Sequence, residues 1–381
     1  MMSLSRRKTL AIIGGGTIFA ATGGVAWEIT RPLKTALLPW EEAGRYDDSR
    51  MRALSWAILA PNSHNLQPWK VDLSTPDHAV LYPDLDRLLP QTDPFNRQIT
   101  ISLGCFLELM RMAALQDGFA VEVDLFPDGE DPAGLDERPA AICRFVPTDA
   151  APDPLFAHAK IRRSNKENYD LSRAVPLEVL DRIASVAQST EVGVTDNAAE
   201  VADLRALTVR AMEIEIDTPR TFEESVEVFR IGRREVDANP DGLEFHGPAF
   251  EAMRLFGLFT REAARDPSST AFEQGKSATL EPIRTSVAYI WSVTPDNTRR
   301  AQIAAGRDWL RLNLSAVAEG VGFHPLSQAL QEYPEMSEIY DEMHARFAPN
   351  GGTVQMLCRL GYGPEVGPTP RWPLDAKIMN A

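Results

Sequence analysis

The chain has 381 residues, 44% of them apolar and 24% charged, which is long enough for two domains or two tightly joined halves around an ordinary globular core. A formal net charge of −15 argues against a nucleic-acid partner, because no basic surplus is there to displace counterions from phosphates. Three widely spaced cysteines, Cys105, Cys143 and Cys358, read as buried thiols, and six histidines show no metal-ligand spacing, so no metal residue is assigned.

From the N-terminus, Ser5-Arg6-Arg7-Lys8 precedes an apolar, glycine-rich stretch with no charge before Glu28. This is an export-signal pattern over residues 1–27, similar to a twin-arginine signal, and an uncleaved membrane anchor stays open as the alternative. Ile13-Gly14-Gly15-Gly16 has Phe19 where a dinucleotide loop needs Gly or Ala, and no strand precedes it. Asp47, Asp48 and Ser49 can cap a helix carrying Met51, Leu54 and Ile58, which Pro61 ends. Strands are expected over 69–73 and 79–82, then a buried helix over 98–116 closed by Gly118, then strands over 119–126 and 140–146 flanking an acidic loop.

The second half is expected to open with a helix from about Pro154, followed by helices over 177–187 and 198–216. A long polar stretch over 219–281, with an Asn239-Pro240-Asp241-Gly242 turn, reads as a lid-like insertion. A strand over 286–292, an Ala- and Leu-rich helix over 299–319, a strand over 354–360 and a Pro-rich tail complete the chain. Strands and helices mix without strict alternation, which predicts an α+β fold.

Two segments carry the functional signal: Ala60-Pro61-Asn62-Ser63-His64-Asn65-Leu66-Gln67-Pro68-Trp69, and Arg162-Arg163-Ser164-Asn165-Lys166. They resemble the two flavin-contacting signatures of the nitroreductase family, in the reverse of the usual order. Members of that family are usually intertwined homodimers whose FMN takes the basic segment from one subunit and the Pro-Ser loop from the other. The reversal therefore implies a nitroreductase-like fold in which two half-domains, 43–150 and 151–375, are fused as an intramolecular pseudo-dimer. One FMN per chain and a monomer are expected, as in the single-chain Acg-like branch of the family.

By this resemblance Arg162 and Ser164 would take the FMN phosphate, with Arg371 in Pro370-Arg371-Trp372-Pro373 as a further phosphate ligand. Lys166 would reach the N1 and O2 edge of the ring and is the residue assigned as catalytic, since a fixed ammonium there stabilises the charge that reduction develops. Taken alone, the basic segment also reads as a solvated turn at a helix C-terminus. Asn62, Ser63, Asn65 and Gln67 suit the ring rim and ribityl hydroxyls, and Arg97, just before the buried helix, is a further candidate to reach the ring. The run Gly320-Val321-Gly322-Phe323-His324-Pro325-Leu326-Ser327 resembles the turn that brings a backbone N–H to flavin N5, which assigns Leu326 and Ser327. His64 and His324, beside these loops, are candidate proton donors to a substrate.

The resemblance implies an exported FMN-dependent oxidoreductase passing hydride or electrons through flavin N5 to nitro, quinone or related acceptors. Its partners would be a small-molecule acceptor or reduced donor and the twin-arginine export machinery, with a membrane tether as an option. Its location would be the periplasm or the outer face of the cytoplasmic membrane. The alternative is a non-catalytic protein that sequesters FMN beneath the insertion.

Overall fold

A computed structural model describes residues 32–380, so the signal assigned to residues 1–27 lies outside the described residues. A short helix α1 (Leu38–Glu42) leads to α2 (Ser49–Ala57), where the Asp48 carboxylate accepts from Arg50 N and Met51 N and so caps two otherwise unpaired amides. Strands β1 (Trp69–Asp72) and β2 (His78–Pro83) pair antiparallel, and α3 (Arg97–Gln116) follows, buried along almost its whole length. Asn96, before α3, is left-handed and does not cap it. Asp93 does so instead, accepting from Gln98 N at 3.1 Å and Ile99 N at 2.9 Å. This helix is long and apolar enough to cross a membrane, but it lies inside the protein. Strands β3 (Phe119–Leu125) and β4 (Ala141–Pro147) close the first half.

In the second half α4 (Leu177–Ala184), β5 (Glu191–Thr195) and α5 (Ala198–Asp217) precede a dense run of short elements. These are α6 (Pro219–Glu227), β6 (Phe229–Ile231), α7 (Arg233–Ala238), β7 (Leu243–Phe245), α8 (Pro248–Leu255), α9 (Arg261–Arg265) and α10 (Thr270–Arg284). Then come β8 (Ala288–Thr294), α11 (Arg299–Ala318), β9 (Gly322–Pro325), α12 (Ser337–Phe347), β10 (Thr353–Gly361) and β11 (Ile378–Asn380).

The fold is mixed α+β. One sheet has the order β11-β1-β2-β4-β3 and a second the order β5-β8-β10-β9, while β6 and β7 form a small parallel pair. Neighbours in both larger sheets are antiparallel except β1 and β11, so the C-terminal strand crosses into the sheet of the first half. A main core joins the two sheets around α3 and α11; a second core lies between the β8–β10 sheet, α5, α10 and α12. At the α3–α11 crossing Gly104 faces Gly306, and a Cβ on either would run into the other helix's backbone, at Ile303 O or Ile101 O. The Cys105 thiol donates to Gly306 O across the same contact, at 3.1 Å. Two glycines let these helices touch backbone to backbone, which long side chains would forbid.

Three expectations need correction. Residues 154–158 form a five-residue 3-10 turn begun by Pro154 with an Asp153 cap, not an α-helix, so residues 162–166 leave a short turn rather than a helix C-terminus. The 219–281 stretch, read as polar, has an apolar centre of its own, where Phe229, Phe245, Phe250 and Phe259 pack tilted or edge-on against one another. Its last helix runs on to Arg284 and buries Phe272, Leu280 and Ile283 in the second main core, so 281 is not a structural boundary. Strand β9, read as a glycine turn, pairs with β10, and β5, α12 and β11 were not anticipated.

Candidate functional site

The loop after α2 is wound unusually. His64, Asn65 and Gln67 all have positive φ, between 47° and 55°, a conformation that costs non-glycine residues energy and needs external bonds to hold it. Those bonds come from three directions. Asn62 Oδ1 accepts from Gln67 N at 2.8 Å within the loop. From the C-terminal tail, Arg371 Nη1 donates to Asn65 Oδ1, Trp372 N to Gln67 Oε1 and Lys377 Nζ to Gln67 O. From the inserted segment, Gly242 N donates to Asn65 O, Gln67 Nε2 reaches Pro240 O and His64 Nε2 lies 3.2 Å from Ser225 Oγ. Ser63 is set on α3, its N–H donating to Ser102 Oγ and its hydroxyl to Gln98 Oε1.

The basic segment docks on the other side of the same loop. Arg162 is 3% exposed and donates to Leu59 O and to Asn313 Oδ1 of α11, both at 3.0 Å. Arg371, 2% exposed, donates to Ile58 O, Leu59 O and Ala60 O at the end of α2. Trp40 covers both Arg163 and Arg371, with guanidinium carbons 4.7 and 5.5 Å from its ring centre. Asn165 N donates to Phe323 O of β9, fixing Lys166 beside that strand.

Arg162, Arg163, Lys166 and Arg371 make no ion pair with a described carboxylate. Burial and the neighbouring guanidiniums push Arg162 down to about 10 and Arg371 down to about 9. The Nε atoms of Arg162 and Arg163 are buried without a partner, while Ser164 is half-buried and Lys166 exposed, each without a side-chain hydrogen bond among the described residues. Glu244 of β7 is the carboxylate felt by this cluster: burial raises its pKa, against the opposing charges of Lys166 and Arg371. A buried guanidinium nitrogen with no acceptor is costly unless an anion completes it, so Arg162 and Arg163 make this a candidate anion site.

The sequence-assigned residues divide accordingly. Asn62, Ser63, Asn65, Gln67, Arg162, Ser164, Lys166 and Arg371 come together in one place. Asn62, Asn65 and Gln67 have their side chains engaged in shaping the loop, so their service is to hold its backbone. Arg97 does not join them: its guanidinium is fully engaged by Glu332, Gln355 O and Leu330 O, tying α3 to the second core. Leu326 is also corrected. Its N–H donates to Leu357 O at 2.9 Å and its side chain packs in the second core, so that amide is taken. Ser327 begins a 3-10 turn beyond it. Arg163, Trp40 and Asn313 escaped sequence reasoning. Asn313, polar and buried within the apolar Leu310-Arg311-Leu312-Asn313-Leu314 run, was the one with a visible signal.

No family model matches the chain. Its sequence relatives support a nitroreductase-like family. The putative NAD(P)H nitroreductase Rv3131 of Mycobacterium tuberculosis is 25% identical over 330 residues, covering 85% of this chain and 89% of that protein. The putative NAD(P)H nitroreductase acg of the same organism is 37% identical over 92 residues, 23% of this chain and 27% of that protein. Among solved structures, a putative nitroreductase from Anabaena variabilis overlaps with a TM-score of 0.43 at 12% identity, covering 92% of this chain and 97% of that one. The FMN-dependent nitroreductase NfnB from Mycobacterium smegmatis, solved with NADPH, gives 0.33 at 20% identity, covering 56% and 92%.

Proposed function

We propose that this chain is an FMN-dependent oxidoreductase of the nitroreductase type, holding one flavin between the loop at 62–67 and the segment at 162–166. The observation that carries this is the cluster of Arg162, Arg163, Ser164, Lys166 and Arg371, without an ion pair and with the Nε atoms of Arg162 and Arg163 unpartnered, set against a loop whose strained backbone is fixed from three sides. FMN fits that donor set: its phosphate suits guanidiniums and a hydroxyl, and its reduced ring suits an ammonium. FMN bound there would supply two-electron chemistry at N5. The chain's part is to place Lys166 at the ring edge, where its charge favours the reduced form, and to exclude water with Trp40 and the insertion.

The halves 43–150 and 151–375 would stand as the two members of a pseudo-dimer. In support, each has a sheet backed by a 20-residue helix, and these helices meet at Gly104 and Gly306. Nitro, quinone or related compounds are the acceptors this reading proposes, with NADH, NADPH or another small reductant as donor. Export by the twin-arginine route, to the periplasm or the outer face of the cytoplasmic membrane, rests on Arg6-Arg7 and the apolar stretch behind them. A second reading, flavin sequestration, is favoured by the bonds from Ser225, Pro240 and Gly242 that press the insertion onto the loop.

The test is the visible spectrum and flavin content of the purified chain, followed by NAD(P)H oxidation with nitrofurazone or menadione. One FMN per polypeptide is expected, and two or none would overturn the fused site. Turnover supports the oxidoreductase; slow flavin release without turnover would replace it with sequestration.

A further inference from the structure

His324 lies on β9 directly opposite Arg359 of β10. It is 8% exposed, and Arg359 Nε donates to its Nδ1 at 2.8 Å. A guanidinium can only donate, so Nδ1 must carry a lone pair and the neutral ring must carry its proton on Nε2. Arg359 is itself immobilised: Nη2 donates to Glu167 O at 2.8 Å, Nη1 to Thr285 Oγ1 at 3.4 Å, and its carbon sits 4.0 Å from the Tyr169 ring centre. The Tyr169 hydroxyl donates to Asn165 O.

Both neighbours of Lys166 are thereby fastened to the same place. Asn165 N is bonded to Phe323 O, next to His324, and Glu167 O shares Arg359 with the His324 ring. His324 Nε2–H has no protein acceptor among the described residues, although the ring is enclosed. Burial, then Arg359 and Lys166, hold its pKa well below the usual histidine value, so the ring stays a neutral donor at physiological pH. His64, from the loop, and Glu244, from the insertion, also face Lys166 electrostatically.

Resting on the flavin reading above, we propose that His324 Nε2–H is a fixed hydrogen-bond donor to the flavin ring edge that Lys166 serves, with Arg359 as the residue that positions it. A donor locked in one tautomer by a cation behind it strengthens as negative charge builds on its acceptor. It is a polarising group and not a proton source, since a neutral imidazole does not give up its second proton readily.

The experiment uses the full chain reconstituted with FMN. His324→Leu should weaken FMN binding about tenfold, shift the flavin midpoint potential to more negative values and alter the visible band. His324→Gln, whose Oε1 can accept from Arg359 while Nε2 donates, should restore all three. Should His324→Leu fail to fold, wild-type chain labelled with 15N-histidine supplies the second measurement. The signal lost in His324→Gln should show the Nε2–H tautomer from pH 6 to 8 and move on adding FMN. A His324→Leu chain with unchanged affinity, potential and spectrum would overturn the inference while leaving the flavin reading intact, as would a tautomer signal indifferent to FMN. A wild-type chain that takes up no FMN would overturn both.

Discussion

Glu215 of α5 is 7% exposed and accepts from Gln331 Nε2 at 2.6 Å, while the amide oxygens of Gln328 and Gln331 beside it are buried without donors. Burial raises its pKa to about 7, and a proton on the carboxyl would supply a donor to that starved neighbourhood. A carboxyl raised in the folded state gives stability that is complete below its unfolded pKa and lost as pH rises through the folded value. The expected loss between about pH 4.5 and pH 7 is on the order of 3–4 kcal/mol. Glu215→Gln should remove that slope from thermal melts across the window, and an unchanged slope would refute the assignment. At this scale the sequence was legible where a residue type has few other uses. Pro61 to Trp69 and Arg162 to Lys166 stood out as motifs, and the structure brings them together through Leu59 and Arg162. Arg97 and Leu326 did not resolve, because nothing local tells whether an arginine's donors or a backbone amide will be engaged by distant carbonyls such as Leu330 O or Leu357 O.

Helices α3 and α11 owe their contact to two residues. Gly306→Val should overpack the crossing against Ile101 O and cost about 3 kcal/mol or more. Gly275→Ala, on α10 where a Cβ meets nothing within 4 Å, should be neutral or stabilise by about 0.5–1 kcal/mol. Chemical denaturation of the pair checks the contrast; equal effects would mean the glycine contact is not what sets the helix spacing. Element positions were largely readable, since α3, α11, β1 to β4 and β10 have strong periodicity or long apolar runs. The short strands β5, β9 and β11 were not, being four or five residues or fewer whose only reason to be extended is a partner far along the chain. The insertion misled in the opposite sense: its charged surface hid the sparse aromatic set that folds it.

Across the whole molecule the segment at 219–281 is held to the first half by more than the loop at 62–67. Glu224 of α6 accepts from Gln91 N, Thr92 N and Thr92 Oγ1, at 2.8, 2.9 and 2.6 Å. Glu224→Ala should loosen that attachment and, if the insertion covers the flavin, speed FMN release about tenfold, the equivalent of one charge-assisted bond. Release followed by flavin fluorescence is the check, and an unaltered rate would mean that the insertion does not gate the site. The mixed α+β fold was legible in the irregular succession of strands and helices. The crossing of the C-terminal strand into the first sheet was not, because no local pattern marks which edge a three-residue strand will join.

That crossing sets a timetable. Gln67 and Lys377, joined by one hydrogen bond, are 310 positions apart, and Arg371 and Trp372 reach the loop from nearly as far. On a ribosome the loop emerges early and must wait, its left-handed residues unsupported, until almost everything downstream has been made. The loop is therefore locked only once residues 371–377 have been made, and until then the bonds that hold Asn65 and Gln67 in their left-handed conformation are missing.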